Sequence, residues 1–328
     1  MKSAAVAAVL ALLVSAVAAA GPARATGAAC GAATQASVAR DYRQMAWTVY
    51  QGELAGLEVR EDAAHVRASR ALAAGLATGD TAAVLAATHA LVFHRHWHIV
   101  RLRVLSSTGR VLADIGGPYV LAPVLGHISY RGKTVGSFVM SVQDDAGYAK
   151  LVTRFSGLPI EIYAAGQPVE GESFPAGTVP AAPPANGSAL ALAGANYVAL
   201  SYAVKAFPSG SDRVFVAVPR VTAGQQASSC FAVDAATSTS IASHLAKHVT
   251  LPADAGVFVA VDHEFTPSAL VFVVSGSNVL ASSSHLALPS RLPLAGQITF
   301  LGHQWLVKSF VPWPRLSVYL LYPEPAVG

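Results

Sequence analysis

The sequence predicts an α+β fold of two modules, in each of which a helical segment leads into a central antiparallel sheet, the first with a long N-terminal helix. Three observations carry this prediction. Apolar residues recur at helical spacing from Val38 to about Ala77, and a second helical segment runs from Asp234 to about His248. Runs of alternating apolar and polar residues, divided by tight glycine turns, follow each of them. The strand-like runs of the second half also echo those of the first.

At 328 residues and 53% hydrophobic, the chain can bury a full core and has room for two domains. They are expected over residues 36–220 and, smaller, over 226–325. Charged residues make up only 12%, against a usual share of about 25%. Much of the apolar count is alanine, so the hydropathy does not demand a membrane. The net charge of +4 is diffuse, with no run of Lys or Arg, which argues against a nucleic-acid partner.

Residues 1–25 read as a secretory signal peptide. Lys2 supplies the positive start, Ala4 to Val17 the apolar stretch, and Ala23-Arg24-Ala25 an A-x-A cleavage signal. Nothing later supplies eighteen uninterrupted apolar residues. The expectation is a secreted or extracytoplasmic chain, associated with the cell envelope, without a transmembrane helix or a cytoplasmic output domain. Cys30 and Cys230 are the two cysteines, and in an oxidising compartment the pair predicts a disulfide. The alternative is lipidation of Cys30, but the leucine expected three residues before it is absent.

Within the first helical stretch, Val38, Tyr42, Met45 and Val49 form one stripe, and Glu53, Glu58, Arg60, Glu61 and Asp62 then turn the pattern towards water. Gly79 predicts a C-cap, Asp80 an N-cap, and Thr81 to about Phe93 a second helix. From Ile99 to Leu105, Val100, Leu102 and Val104 point one way, Arg101 and Arg103 the other. Ser107-Thr108-Gly109 turns the chain, Arg110 to Ile115 returns, and Gly116-Gly117-Pro118 ends that strand. Ile128 to Tyr130 and Thr134 to Val142 make a second hairpin around Arg131-Gly132-Lys133.

A short helix from Tyr148 to Phe155 precedes a strand from Leu158 to Tyr163. The Pro-, Gly- and Ala-rich stretch from Gly166 to Gly187 reads as a long loop. Leu190 to Tyr202 and Arg213 to Val218 make another hairpin, and Thr222 to Ser229 a connection. Beyond the helix at 234–248, strands are expected at Val257–Val261, Leu270–Val274, Asn278–Ala281, Gln297–Leu301, Trp305–Phe310 and Ser317–Tyr322.

Three echoes support related modules. Gly194 to Tyr202 and Gly302 to Phe310 both read G-x-x-aromatic-aliphatic-x-x-S-aromatic, and closing strands ending in proline follow each. Val274 to Ala281 matches Leu105 to Ala113 with one residue fewer. Gly126 to Gly132 resembles Gly296 to Gly302.

The segments Ile99 to Leu105, Gly109 to Ala113 and Arg131 to Val139 resemble those of a Cache-type, PAS-like extracytoplasmic sensor domain, with Ser106 where an acid is usual. The resemblance covers residues 36 to 165 well and the second half weakly. It implies PAS-like modules and a pocket on one face of the sheet for a small molecule such as a carboxylate or amino acid. It also implies a membrane-bound signalling partner.

Arg101 and Arg103 can grip a carboxylate by paired, charge-assisted hydrogen bonds. The alternative is a solvated sheet face with the arginines paired to Asp114 or Asp144. His96 and His98 join them as ligand candidates if a bend near Trp97 shifts the strand parity. Tyr119, Ser141 and Arg154 are further polar groups in apolar segments. His94, His96 and His98 alternate and offer a metal site as the second reading, with His65 as a possible fourth ligand. A structural cell-envelope protein is the third. No G-x-S-x-G elbow, Walker loop, C-x-x-C or H-E-x-x-H occurs, so neither an enzyme nor a cofactor is expected. Asp262-His263-Glu264 is a polar triplet between strands that could bind metal or act as acid and base, and reads first as an exposed turn.

Overall fold

The computed structural model describes residues 29–169, 174, 177–251, 253–289 and 292–324. The expected signal peptide lies outside them. Among the described residues the chain is α+β, with a long N-terminal helix and three larger antiparallel sheets.

The stretch from Val38 to Ala77 is not one helix but three: α1 (Thr34–Ala55), α2 (Leu57–Ala68) and α3 (Arg70–Thr78). Gly56 makes the first break, because a Cβ on its extended backbone would stand 2.6 Å from the Gly52 carbonyl oxygen. Ser69 makes the second by capping α3 through Leu72 N–H at 3.3 Å. Gly79 closes α3 at φ +72°, and Asp80 caps α4 (Thr81–Val92) through Ala83 N–H, as the sequence predicts.

Sheet 1 is built from β1 (Arg101–Ser106), β2 (Val111–Gly116), β4 (Val124–Tyr130) and β5 (Lys133–Ser141), in the order β2-β1-β5-β4. A short pair, β3 (Val120–Leu121) with β6 (Gln143–Asp144), lies beside it. Helices α2 to α4 cover one face, where Val66, Leu72 and Val84 meet Leu102, Val104 and Phe138. The alternation in β1 therefore holds: Leu102 and Val104 go inward and the arginines outward.

Helix α5 (Asp145–Ser156) leads into sheet 2, made of β7 (Ile160–Ala164), β8 (Gln167–Val169), β9 (Ala189–Leu192), β10 (Ala195–Lys205) and β11 (Ser211–Pro219). Its order is β8-β7-β11-β10-β9. Helices α6 (Ala223–Ala227), α7 (Cys230–Ala246) and α8 (Ala255–Phe265) precede sheet 3. That sheet holds β12 (Leu270–Ser275), β13 (Asn278–Ser282), β14 (Ala295–Phe300), β15 (His303–Trp313) and β16 (Leu316–Pro323), in the order β13-β12-β16-β15-β14. Sheets 2 and 3 thus share one winding, and sheet 1 follows it without the outermost strand. Residues 36–220 carry two of the three sheets.

Two of the echoes fall on matching strands: β10 with β15, and β1–β2 with β12–β13. The third, β4 with β14, does not. It reflects a shared turn, since Arg131-Gly132 and Leu301-Gly302 have φ of +49/+77° and +52/+79°. Successive left-handed residues of this kind suit a tight hairpin.

The largest core is a helical layer of α1, α5, α7 and α8 between sheets 2 and 3, where Met45, Tyr148 and Phe258 meet Val214, Val216, Val271 and Val318. The run Val257–Val261, expected as a strand, lies inside α8. Its apolar letters have no period of their own, whereas Phe258, Val261, Asp262 and Phe265 are buried at helical spacing. A disulfide joins Cys30, ahead of α1, to Cys230 at the start of α7, with Cα atoms 4.7 Å apart, so Cys30 is committed to that bond. No helix among the described residues is long and apolar enough to cross a membrane.

Candidate functional site

The outward face of β1 carries an ion-pair cluster. Arg101 Nε donates to Asp114 Oδ1 at 3.0 Å and Nη2 to Oδ2 at 3.0 Å, a two-pronged grip. Arg103 adds Nε and Nη2 to the same Oδ2 at 3.1 and 2.6 Å. The register opposes Arg103 to Asp114 directly across β1 and β2, which is the pairing that the alternative reading of these arginines anticipates. Burial disfavours the charge on Asp114. The hydrogen bonds and charges of Arg101 and Arg103 outweigh it and hold the carboxyl below its ordinary range. Arg101 also binds the carbonyls of Gly117 and Pro118, at 2.9 and 3.1 Å. Both guanidiniums then cover the Phe207 ring, which comes from the β10–β11 hairpin of sheet 2.

The histidines lie elsewhere. Arg95 and His96 are in a turn closed by Trp97 N–H to His94 O at 3.1 Å, so 94–98 is not an extended strand. Trp97 is sandwiched between His65 and His94, with ring centroids at 4.4 and 3.9 Å. His96 accepts from Arg95 Nε at 3.2 Å. His98 turns to α2, its imidazole on Glu58 and its N–H on Asp62 Oδ2. A bend at Val100 does shift the parity, since Ile99 and Leu102 share the helix-facing core. It still brings no histidine to Arg101 or Arg103. Among the described residues no three His, Cys, Asp or Glu groups are set for a metal. A hollow of about 340 Å³ beside this turn is lined by Trp97, His98, Val100, Gln143 and Asp144, without either arginine.

Ser141 is fully buried and structural, donating to Leu121 O at 2.5 Å and accepting from Gln143 N–H at 3.1 Å. Tyr119 is exposed. Arg154 lies on α5, near His248 at the end of α7. Asp262 and His263 belong to α8 and not to a turn.

A site the sequence reading missed lies at the start of α1. A cleft of about 490 Å³ opens between α1, the 186–189 turn, β10 and the segment 220–226. Gln35, Asn186, Val198, Arg220, Val221 and Gln226 line it, with alanines of α1 as one wall and no acidic residue. Gln35 is fixed by Val221 N–H to Oε1 at 2.9 Å and by its own Nε2 to Pro219 O at 3.2 Å. Asn186 is fixed by Ser201 N–H to Oδ1 at 3.1 Å. Arg220 is the one cation in the lining and has no carboxylate partner among the described residues. The only hint in the sequence is a lone Arg just after the proline that ends a closing strand.

The helical core also holds unusual carboxyls. Burial pushes Glu53, on α1, and Asp262 each up to about 7. Burial, with the Asp212 and Asp144 charges, does the same to Asp145. On β7 of sheet 2, burial takes Glu161 to about 7 as well. No family model, curated protein or solved structure matches the chain.

Proposed function

We propose that this chain is an exported binding or sensory protein that captures a small, anionic molecule non-covalently in the cleft over Arg220. The observation that carries it is a cleft of about 490 Å³ whose lining holds one guanidinium, without a carboxylate partner among the described residues, and no acidic side chain. That volume lies within the range of about 300–1,000 Å³ common for small-molecule sites. A guanidinium can hold a carboxylate by two parallel bonds, and the amides of Gln35, Asn186 and Gln226 offer donors and acceptors for the rest of the ligand.

The sheet-bearing units are read as Cache-type, PAS-like modules. The motifs at Ile99 to Ala113 and Arg131 to Val139, helices leading into antiparallel sheets, and the repeated winding support that reading. The disulfide supports an oxidising, extracytoplasmic setting. A membrane-bound partner would read the bound state.

A thermal-shift screen of small carboxylates and amino acids on the full chain tests the proposal. A true ligand at 100 times its Kd adds about 2.7 kcal/mol of stability. A panel with no stabilising anion would remove the reading.

A further inference from the structure

We propose that Asp145 and Asp212 form a site for a hard divalent cation, of the calcium or magnesium class, at the seam between sheet 1 and sheet 2. Asp145 is only 1% exposed, and neither of its carboxylate oxygens has a hydrogen-bond partner. Its place in the first turn of α5 favours an acid there through the helix dipole, but no donor reaches its oxygens. Asp144 takes the capping role, with Oδ1 accepting from Gly147 N–H at 2.6 Å.

Backbone contacts bring Asp212 to the same place. Asp144 pairs with Val120 across β6 and β3. Val120 O accepts Phe207 N–H at 2.9 Å, and Lys205 O accepts Ala122 N–H at 3.1 Å. One pair further along that hairpin, Asp212 stands opposite Val204. Asp212 is buried too, at 6% exposure, and its charge opposes ionisation of Asp145. Asp145 is a buried carboxyl without a donor, and a cation held between it and Asp212 would supply the missing partner.

The oxygens on offer favour a hard cation. Among the described residues no third His, Cys, Asp or Glu completes a metal-holding group with the pair. Carbonyls of the seam, each with a second lone pair, and water would complete the shell. A cation there would bridge α5, which follows sheet 1, and the hairpin that carries Phe207, fixing how the two sheets sit. This site is separate from the Arg220 cleft and does not depend on it.

Full-length protein stripped with EDTA should be titrated with CaCl2 and MgCl2 at pH 8, above the value of about 7 to which Asp145 is raised, and its thermal unfolding followed. The expected result is a saturable rise in Tm, reaching about a hundredfold in the folding equilibrium at 100 times the Kd. Asp145→Asn and Asp212→Asn should each remove it, and isothermal calorimetry on the folded variants should show no heat of binding. Absence of a cation-dependent rise, with either variant more stable than the parent at pH 8, would mean that the pair only shares protons and overturns the site. A rise that survives in both variants overturns it as well.

Discussion

The guanidinium carbon of Arg101, on sheet 1, lies 4.9 Å from the centroid of the Phe207 ring, on the hairpin of sheet 2. Val120 and Val139 bury the rest of that ring. A cation over an aromatic face contributes about 0.5–1 kcal/mol, so most of the stabilisation comes from burial of the ring. Phe207→Ala should cost about 3 kcal/mol in urea unfolding. A loss under about 0.5 kcal/mol would show that the two sheets do not depend on this contact.

Asp114 holds both arginines over that ring. Asp114→Asn should cost about 1–2 kcal/mol, a modest figure because the three side chains keep some exposure to water. The sign with pH follows from its lowered pKa. The contribution is present above the ordinary value of 3.8 and is lost as pH falls through the lower folded value. The variant should therefore differ from the parent at pH 6 and converge with it in strong acid, measured by denaturant titration at each pH.

Glu53 and Asp262 work in the opposite sense. Each has a folded pKa of about 7 against ordinary values of 4.5 and 3.8, so the folded state binds the extra proton. Stability should be greatest below those ordinary values and fall as pH rises to about 7, by on the order of 3 kcal/mol per group. Glu53→Gln should flatten the fall and stabilise the protein at pH 8 while leaving pH 4 nearly unchanged. Tm measured in EDTA across this range checks it, and a Tm that rises from pH 4 to 8 would contradict it.

Local chemistry made much of the fold legible. Gly79 and Asp80 act through backbone conformation and a cap, and β1 through strict alternation, so each is decided within a few letters. The run at 257–261 was not legible because five apolar residues fit a buried strand as well as a helix. Gly56 and Ser69, as helix breaks, depend on backbone angles that composition does not fix. The site was harder still. The partner of Arg101 and Arg103 was open to anticipation through the hairpin register, but the Phe207 contact needs the packing of two sheets. The Arg220 cleft draws its walls from residues 32–39, 186–199 and 220–226, and most are alanines, amides and valines without a motif.

The disulfide spans 200 residues of sequence and pins α1 to α7 beside that cleft. Replacing Cys30 and Cys230 together by serine should cost about 2–5 kcal/mol. It should also raise hydrogen exchange at the start of α1, where Cys30 N–H bonds Ser228 O at 2.7 Å. Unchanged exchange there would show that packing alone holds the helix.

The most direct measurement is calorimetric titration of the best anion from the screen into the parent chain, Arg220→Ala and Arg103→Ala. Loss of the guanidinium at position 220 should weaken binding at least about tenfold, equivalent to about 1.4 kcal/mol, while Arg103→Ala leaves it within about twofold. An affinity unchanged in Arg220→Ala and lost in Arg103→Ala would contradict the cleft and return the site to the outward face of β1.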